Sequence, residues 1–113
     1  MKRPIAVIVV AALYLLVGVV GFVYHFPELA AGHHDAIAIE ITEFLAVVSG
    51  AFLLMRHNWA RWLALAWILF HVAISLTDPI GKLAAHVAFL IFIAWALFRP
   101  ASSQWFRPGA PAS

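Results

Sequence analysis

The sequence has no cysteine among its 113 residues. Disulfide bonds, thiolate metal sites, iron–sulfur clusters and thiol redox chemistry are therefore all excluded. Any redox role would depend on a bound cofactor. Charge is also scarce, because Asp, Glu, Lys and Arg together make up only 11% of the chain.

Hydrophobic residues, by contrast, make up 65% of the chain, and the mean hydropathy is +1.00. A water-soluble domain of this length could not bury so much apolar surface, so the composition favours lipid as the solvent. The formal net charge of +2 would suggest nucleic acid in a soluble protein. Here we interpret the basic residues as topology signals, and we expect the lipid bilayer, not nucleic acid, as the partner.

Four apolar segments are each close to the roughly 20 residues that a helix needs to cross a bilayer. They cover residues of about 4–24, 36–55, 60–77 and 83–98. Strands are excluded in lipid because an open sheet edge leaves backbone groups unsatisfied. The sequence therefore predicts an all-α polytopic membrane protein, an antiparallel four-transmembrane-helix bundle over residues 1–99. Residues 100–113 should form a cytoplasmic, partly disordered tail that rests Trp105, Phe106 and Arg107 on the headgroups.

The first segment follows Lys2 and Arg3, as a signal peptide would. Its apolar core is longer than the roughly 7–15 residues of a signal-peptide core, so we expect a retained helix.

The cations fall almost entirely on one side of the predicted bundle. Lys82 alone is on the other side, beside acidic residues, and the remaining basic residues are Lys2, Arg3, Arg56, Arg61, Arg99 and Arg107. Positive charge gathers on the cytoplasmic side of membrane proteins. We therefore expect a multi-pass protein of the cell (inner) membrane with both termini in the cytoplasm.

Ionisable residues inside a membrane are costly and indicate function by default. His71 lies seven residues before Asp78, and His86 lies seven residues after Pro79, so the turn places both at one depth on neighbouring helices. Glu40 and Glu43 lie on the first turns of the second segment, and His25 closes the first segment on the same side.

Helical spacing places these residues on stripes with small residues, which allow helices to approach closely. In the first segment the stripe contains Tyr14, Gly18, Gly21 and His25, and in the third it contains Ala64, Trp67, His71, Ser75 and Asp78. If all stripes point inward, Glu43, His71 and His86 form a cluster in the outer half of the bundle. His25 and Glu40 are its further members.

Several ligands suit such a cluster. Glu43, His71, His86 and Glu40 could bind a transition metal. The two histidines could ligate a haem iron from both faces. Glu43, His71, His86 and His25 could instead bind a quinone headgroup or relay protons. No residue is identified as catalytic.

Structural interpretations remain open for the same residues. His71 and His86 could be neutral and donate hydrogen bonds to neighbouring helices. Glu40 could be a first-turn carboxylate favoured by the helix dipole, and Asp35 an N-cap. The sequence thus fits an accessory or redox-linked membrane component that binds a cofactor. It also fits a non-catalytic subunit that contacts other membrane subunits or itself, and a small proton-coupled transporter.

The order of features resembles the DoxX-like group of small bacterial four-helix membrane proteins, over most of residues 5–98. The first segment carries Leu15-Leu16-Val17-Gly18 and then Gly21-Phe22. The similar residues that follow are Glu43, Gly50-Ala51-Phe52-Leu53-Leu54, Arg61 and Leu63-Ala64-Leu65. The resemblance implies a link to membrane redox or quinone-associated systems. It assigns no site to His71 or His86, which are not part of the pattern.

Overall fold

The computed structural model describes residues 3–107, and that part of the chain contains helices and no strand. The helices are α1 (Ile5–Ala30), α2 (His34–Leu54), α3 (Asn58–Ser75), α4 (Ile80–Phe98) and α5 (Pro100–Phe106). The prediction of an all-helical protein is confirmed. Three of the helices, α1, α2 and α4, are long and apolar enough to cross a membrane.

Helices α1 to α4 form the body of the protein. Loops of three or four residues join each helix to the next, so sequential neighbours run antiparallel. Helix α1 also contacts α4, which closes the arrangement. We call the end that holds Arg3, Arg56, Arg61 and Arg99 the arginine end. The opposite end, with loops 31–33 and 76–79, is the carboxylate end.

The first connection is much shorter than the predicted loop over residues 25–35. Helix α1 continues through Pro27 to Ala30, and α2 begins at His34. Pro27 lies in the last turn of α1, where it lacks the N–H that a helical residue donates to the preceding turn. The turn follows at Gly32, whose φ of 84° is the left-handed conformation that glycine adopts without strain. The N-cap prediction for Asp35 is wrong, since Asp35 lies inside the first turn of α2.

The backbones of α1 and α2 approach each other closely at glycine residues. A Cβ atom at Gly18 would lie 2.5 Å from Val47 Cγ2 and 2.8 Å from the Glu43 carbonyl oxygen. A Cβ atom at Gly50 would lie 2.8 Å from the Ala11 carbonyl oxygen. The small-residue stripes of the sequence therefore form the α1–α2 contact, and they fix the register of the two helices.

The predicted tail begins with helix α5, which buries two aromatic side chains against the rest of the protein. Trp105 and Phe106 are 3% and 2% exposed. Arg56 Nε donates a 2.6 Å hydrogen bond to the Trp105 carbonyl oxygen. Residues 108–113, where disorder was predicted, lie outside the described residues.

Arg61 joins three helices at the arginine end. Its Nη1 atom donates hydrogen bonds to the Leu97 carbonyl oxygen at 3.2 Å and to Ser103 Oγ at 3.0 Å. The guanidinium also lies over the rings of Phe98 and Phe106, at 4.6 and 5.3 Å from their centres. Arg61 therefore binds α3 to α4 and α5.

We expect Arg61→Gln to release α5. The substitution removes two hydrogen bonds and two cation–π contacts, which together should lower the free energy of unfolding by about 1–3 kcal/mol. Hydrogen–deuterium exchange of amides 101–106 in lipid nanodiscs should accelerate. Arg99→Gln is the control, because Arg99 is exposed and contacts only the Trp95 ring among the aromatic side chains described. Equal exchange in the two variants would contradict the role of Arg61.

Candidate functional site

His71 and His86 face each other across α3 and α4 near the carboxylate end. Their ring centres are 5.9 Å apart. Ser75 connects them, because its Oγ atom donates to the His71 carbonyl oxygen at 2.7 Å and lies 2.5 Å from His86 Nδ1. The structure thus places the two histidines side by side, as their spacing about Pro79 predicts.

The hydrogen bonds of this pair define which ring nitrogens carry protons. His71 Nδ1 lies 2.8 Å from the Trp67 carbonyl oxygen, which can only accept, so this nitrogen donates. The single Ser75 hydroxyl proton is used by the His71 carbonyl, so His86 Nδ1 donates to Ser75 Oγ. In the neutral state both Nε2 atoms therefore keep a lone pair for a ligand.

The indole of Trp67 lies in the centre of this half of the protein. Its Nε1 atom donates a 2.8 Å hydrogen bond to the Thr42 carbonyl oxygen on α2. Its ring stacks on His71 with 3.8 Å between ring centres, and it lies 5.2 Å from the ring of Tyr14 on α1. Trp67 therefore contacts α1 and α2 and orients His71.

A cavity of about 140 Å³ opens beside this group, between α1, α3 and α4. Its walls are almost entirely apolar and consist of Leu13, Tyr14, Val17, Trp67, Ile68, His86 and Phe89. The Tyr14 hydroxyl donates to the Ala64 carbonyl oxygen at 2.6 Å, and the Trp67 N–H is already bonded. His86 is thus the wall residue with a side-chain nitrogen free to bind a ligand.

The glutamates lie elsewhere, between α1 and α2. The carboxyl group of Glu43 rests on Gly21, where a Cβ atom would be 2.5 Å from Glu43 Cδ. Glu40 is only 4% exposed, and neither of its carboxyl oxygens has a hydrogen-bond partner within residues 3–107. Glu40 lies one turn before Glu43 on α2, and His25 lies one turn beyond Gly21 on α1.

The predicted single cluster is therefore divided into two groups. Glu40, Glu43 and His25 line the α1–α2 contact, whereas His71 and His86 face each other across α3 and α4. The rotation of α2 about its axis separates them. Glu43 packs against Gly21 of α1, and the neighbouring Thr42 carbonyl faces Trp67 of α3. Across residues 3–107, no three His, Asp or Glu side chains converge closely enough to hold a metal ion. The metal set predicted from Glu43, His71, His86 and Glu40 lacks this convergence.

Sequence reasoning found part of this site. The helical spacing of α3 puts Trp67 and Ser75 on the stripe of His71, but it gives no sign of the hydrogen bonds that they make. The cavity was missed, because its walls come from three helices. Its volume depends on how Leu13 and Val17 of α1 pack against Phe89 of α4. A residue pattern within one segment does not predict this packing between segments.

The unpartnered Glu40 carboxyl group should lower the stability of the protein. A buried polar group without a hydrogen bond costs about 1–3 kcal/mol, so Glu40→Leu should raise the free energy of unfolding by that amount. Denaturation with SDS in mixed micelles would measure it. Glu28→Leu provides the control, since Glu28 is exposed and should change stability little. A destabilised Glu40→Leu variant would show that the carboxyl group contributes to the fold.

No family model, curated protein or solved structure matches this chain. The DoxX-like resemblance accordingly stays a prediction from the residues quoted above, and the chemistry of the site must be argued from its geometry.

Proposed function

We propose that this protein is a small four-span membrane protein that binds the ring of a lipid-soluble cofactor of the quinone class, as an accessory component of a redox system. The observation that carries the proposal is the cavity between α1, α3 and α4, with aromatic and aliphatic walls and one available imidazole. The implied kinship with DoxX-like proteins points to the same kind of system.

We propose that α3 crosses the membrane together with the three candidate spans α1, α2 and α4. This helix of 18 residues has Arg61 near one end and His71 near the other, and apolar residues between them. Large hydrophobic side chains on the outside of the helices are exposed, among them Val20, Phe44, Phe70 and Ile91. Lipid would cover them. With the arginine end in the cytoplasm, both termini of a bacterial inner-membrane protein lie inside.

The shape of the cavity favours a flat ring over the other cofactors considered. Aromatic walls from Tyr14, Trp67 and Phe89 can stack on a quinone or contact it edge-on. A haem iron in the cavity would have His86 alone of the two histidines as a ligand, because His71 does not line it. His86 Nε2 can accept a hydrogen bond from a quinol hydroxyl, and the protonated imidazole can donate one to a quinone carbonyl. Ser75 holds the ring of His86 in place for either contact.

We expect His86→Asn to weaken binding of a short-chain benzoquinone about tenfold, the effect of one lost hydrogen bond of about 1.4 kcal/mol. Quenching of tryptophan fluorescence in nanodiscs would measure the affinity. His57→Asn is the matched control, because His57 lies in the loop at the arginine end.

A second variant separates binding from histidine chemistry. Val17→Phe should fill the cavity and abolish binding while leaving both histidines in place, and Val17 is exposed enough to be replaced without unfolding the helix. Unchanged affinity in both His86→Asn and Val17→Phe would refute the proposed site.

A second candidate function is a non-catalytic subunit of a larger membrane complex, or a self-associating one. It is favoured by two side chains that donate hydrogen bonds to backbone carbonyl oxygens of another helix. Tyr14 donates to Ala64, and Trp67 donates to Thr42. In that case the wild-type protein would bind no benzoquinone. His86→Asn would reduce assembly or stability instead.

A further inference from the structure

Glu40, Glu43 and His25 form a second polar group, which the ring-binding proposal does not use. Glu40 and Glu43 are one turn apart on α2, so their side chains are neighbours. The register set by Gly18 and Gly21 brings His25 of α1 beside the first turns of α2. We infer that this glutamate pair holds an exchangeable proton, which His25 transfers to and from the aqueous phase at the carboxylate end.

Burial is the first argument. Both oxygens of Glu40 and Oε2 of Glu43 are buried and lack hydrogen-bond partners within the described part of the chain. Two ionised carboxylates in this position would lose their hydration and repel each other. One bound proton removes one of the two charges and, with it, the repulsion between the carboxyl groups.

Charge compensation is the second argument. The arginines between residues 3 and 107 lie at the arginine end, and Lys82 pairs with Asp78 at 3.4 Å. His71 and His86 are bonded to Trp67 and Ser75 on the other side of the protein. Of the basic groups on α1, α3 and α4 in residues 3–107, this leaves His25, which lies one turn beyond Gly21, where the Glu43 carboxyl group rests.

The position of His25 supplies a path to water. Its side chain is 28% exposed, and its Nδ1 atom lies 3.7 Å from Oε2 of Glu28, which is 51% exposed. A carboxyl O–H of the pair gives its proton to the imidazole, which leaves a carboxylate and an imidazolium. The imidazolium then releases the proton to water, and the reverse sequence reloads the pair.

The proton site is independent of the ring site, because Glu40, Glu43 and His25 are not among the residues that line the cavity. The glutamate pair could hold its proton whether or not the cavity binds a quinone. A failure of benzoquinone binding would therefore leave this inference standing.

Infrared spectroscopy of the full chain in nanodiscs tests the inference directly. The wild type should show a protonated carboxyl C=O band at pH 7, where exposed carboxyl groups are ionised. Labelling glutamate with ¹³C should shift the band. It should be lost in Glu40→Gln or in Glu43→Gln, and it should persist in the control Glu28→Gln.

The exchange of this proton tests His25. In D₂O the band should shift rapidly in the wild type and about 100-fold more slowly in His25→Leu, because the proton then lacks a carrier. If the labelled wild type shows no such band at pH 7, the inference is overturned even if the variants do not fold. A band that disappears when Na⁺ replaces choline would assign the site to a metal cation and overturn it as well. Equal exchange rates in His25→Leu and the wild type would remove His25 from the path.

Discussion

Replacing Gly18 with alanine should lower the free energy of unfolding by about 2–3 kcal/mol, and leucine at this position should prevent folding. The added Cβ would lie 2.8 Å from the Glu43 carbonyl oxygen and from the Val47 backbone nitrogen. No side-chain rotation can relieve a contact with backbone, so α1 and α2 must move apart. Unfolding with SDS in mixed micelles, followed by circular dichroism, would measure the loss.

Gly81 and Gly21 make the test specific. A Cβ at Gly81 meets nothing within 4 Å, so Gly81→Ala should change stability by less than about 0.5 kcal/mol. A Cβ at Gly21 meets the Glu43 carboxyl group, the mobile end of a long side chain. Gly21→Ala should therefore cost less than Gly18→Ala. Equal costs at all three positions would mean that the interhelical contact at Gly18 does not decide the result.

The α1–α2 contact was the most predictable part of the fold. Gly18 and Gly21, three residues apart, define one face of a helix without any knowledge of the partner. The facing segment contributes Gly50, which packs against Ala11 and Leu15. The four apolar segments were equally visible, because their length follows from the composition alone. Their ends were not, since the polar residues His25 and Glu28 sit inside α1.

Helix α5 could not be predicted from its own residues. The segment from Pro100 to Phe106 is rich in Pro, Ala and Ser, which is typical of a disordered tail. It is ordered by contacts from distant parts of the chain, namely Arg56 and Arg61. The composition of a segment indicates its intrinsic conformational preference. It does not indicate which distant residues will contact and order that segment.

The candidate site shows the same limit. Spacing identified Glu40, Glu43, His25, His71 and His86 as polar residues in one half of the bundle, and the structure places them there. Whether their side chains contact one another depends on the rotation of each helix about its axis. The sequence does not determine this rotation when small residues occur on several sides of a helix. Trp67 is the side chain that contacts three helices here, through Tyr14 on α1, Thr42 on α2 and His71 on its own helix α3.

Trp67→Ala should accordingly have the broadest effect of any substitution in this half of the protein. It removes the hydrogen bond to Thr42 and the stacking on His71, and it opens the 140 Å³ cavity toward the groove that Trp67 also lines with Leu45 and Phe70. The loss in free energy of unfolding should be about 3 kcal/mol. Binding of the benzoquinone should disappear with it, because the ring loses its stacking partner.

Trp62→Ala is the matched control for this substitution. Trp62 is on the same helix, but it is 56% exposed and lies toward the arginine end, so its removal should cost little stability and leave benzoquinone binding intact. Trp67→Phe should retain part of both properties, since a smaller ring still fills the space but cannot donate to Thr42. If Trp67→Ala and Trp62→Ala lose the same stability, Trp67 does not organise this half of the protein. The separation of the two polar groups would then need another cause.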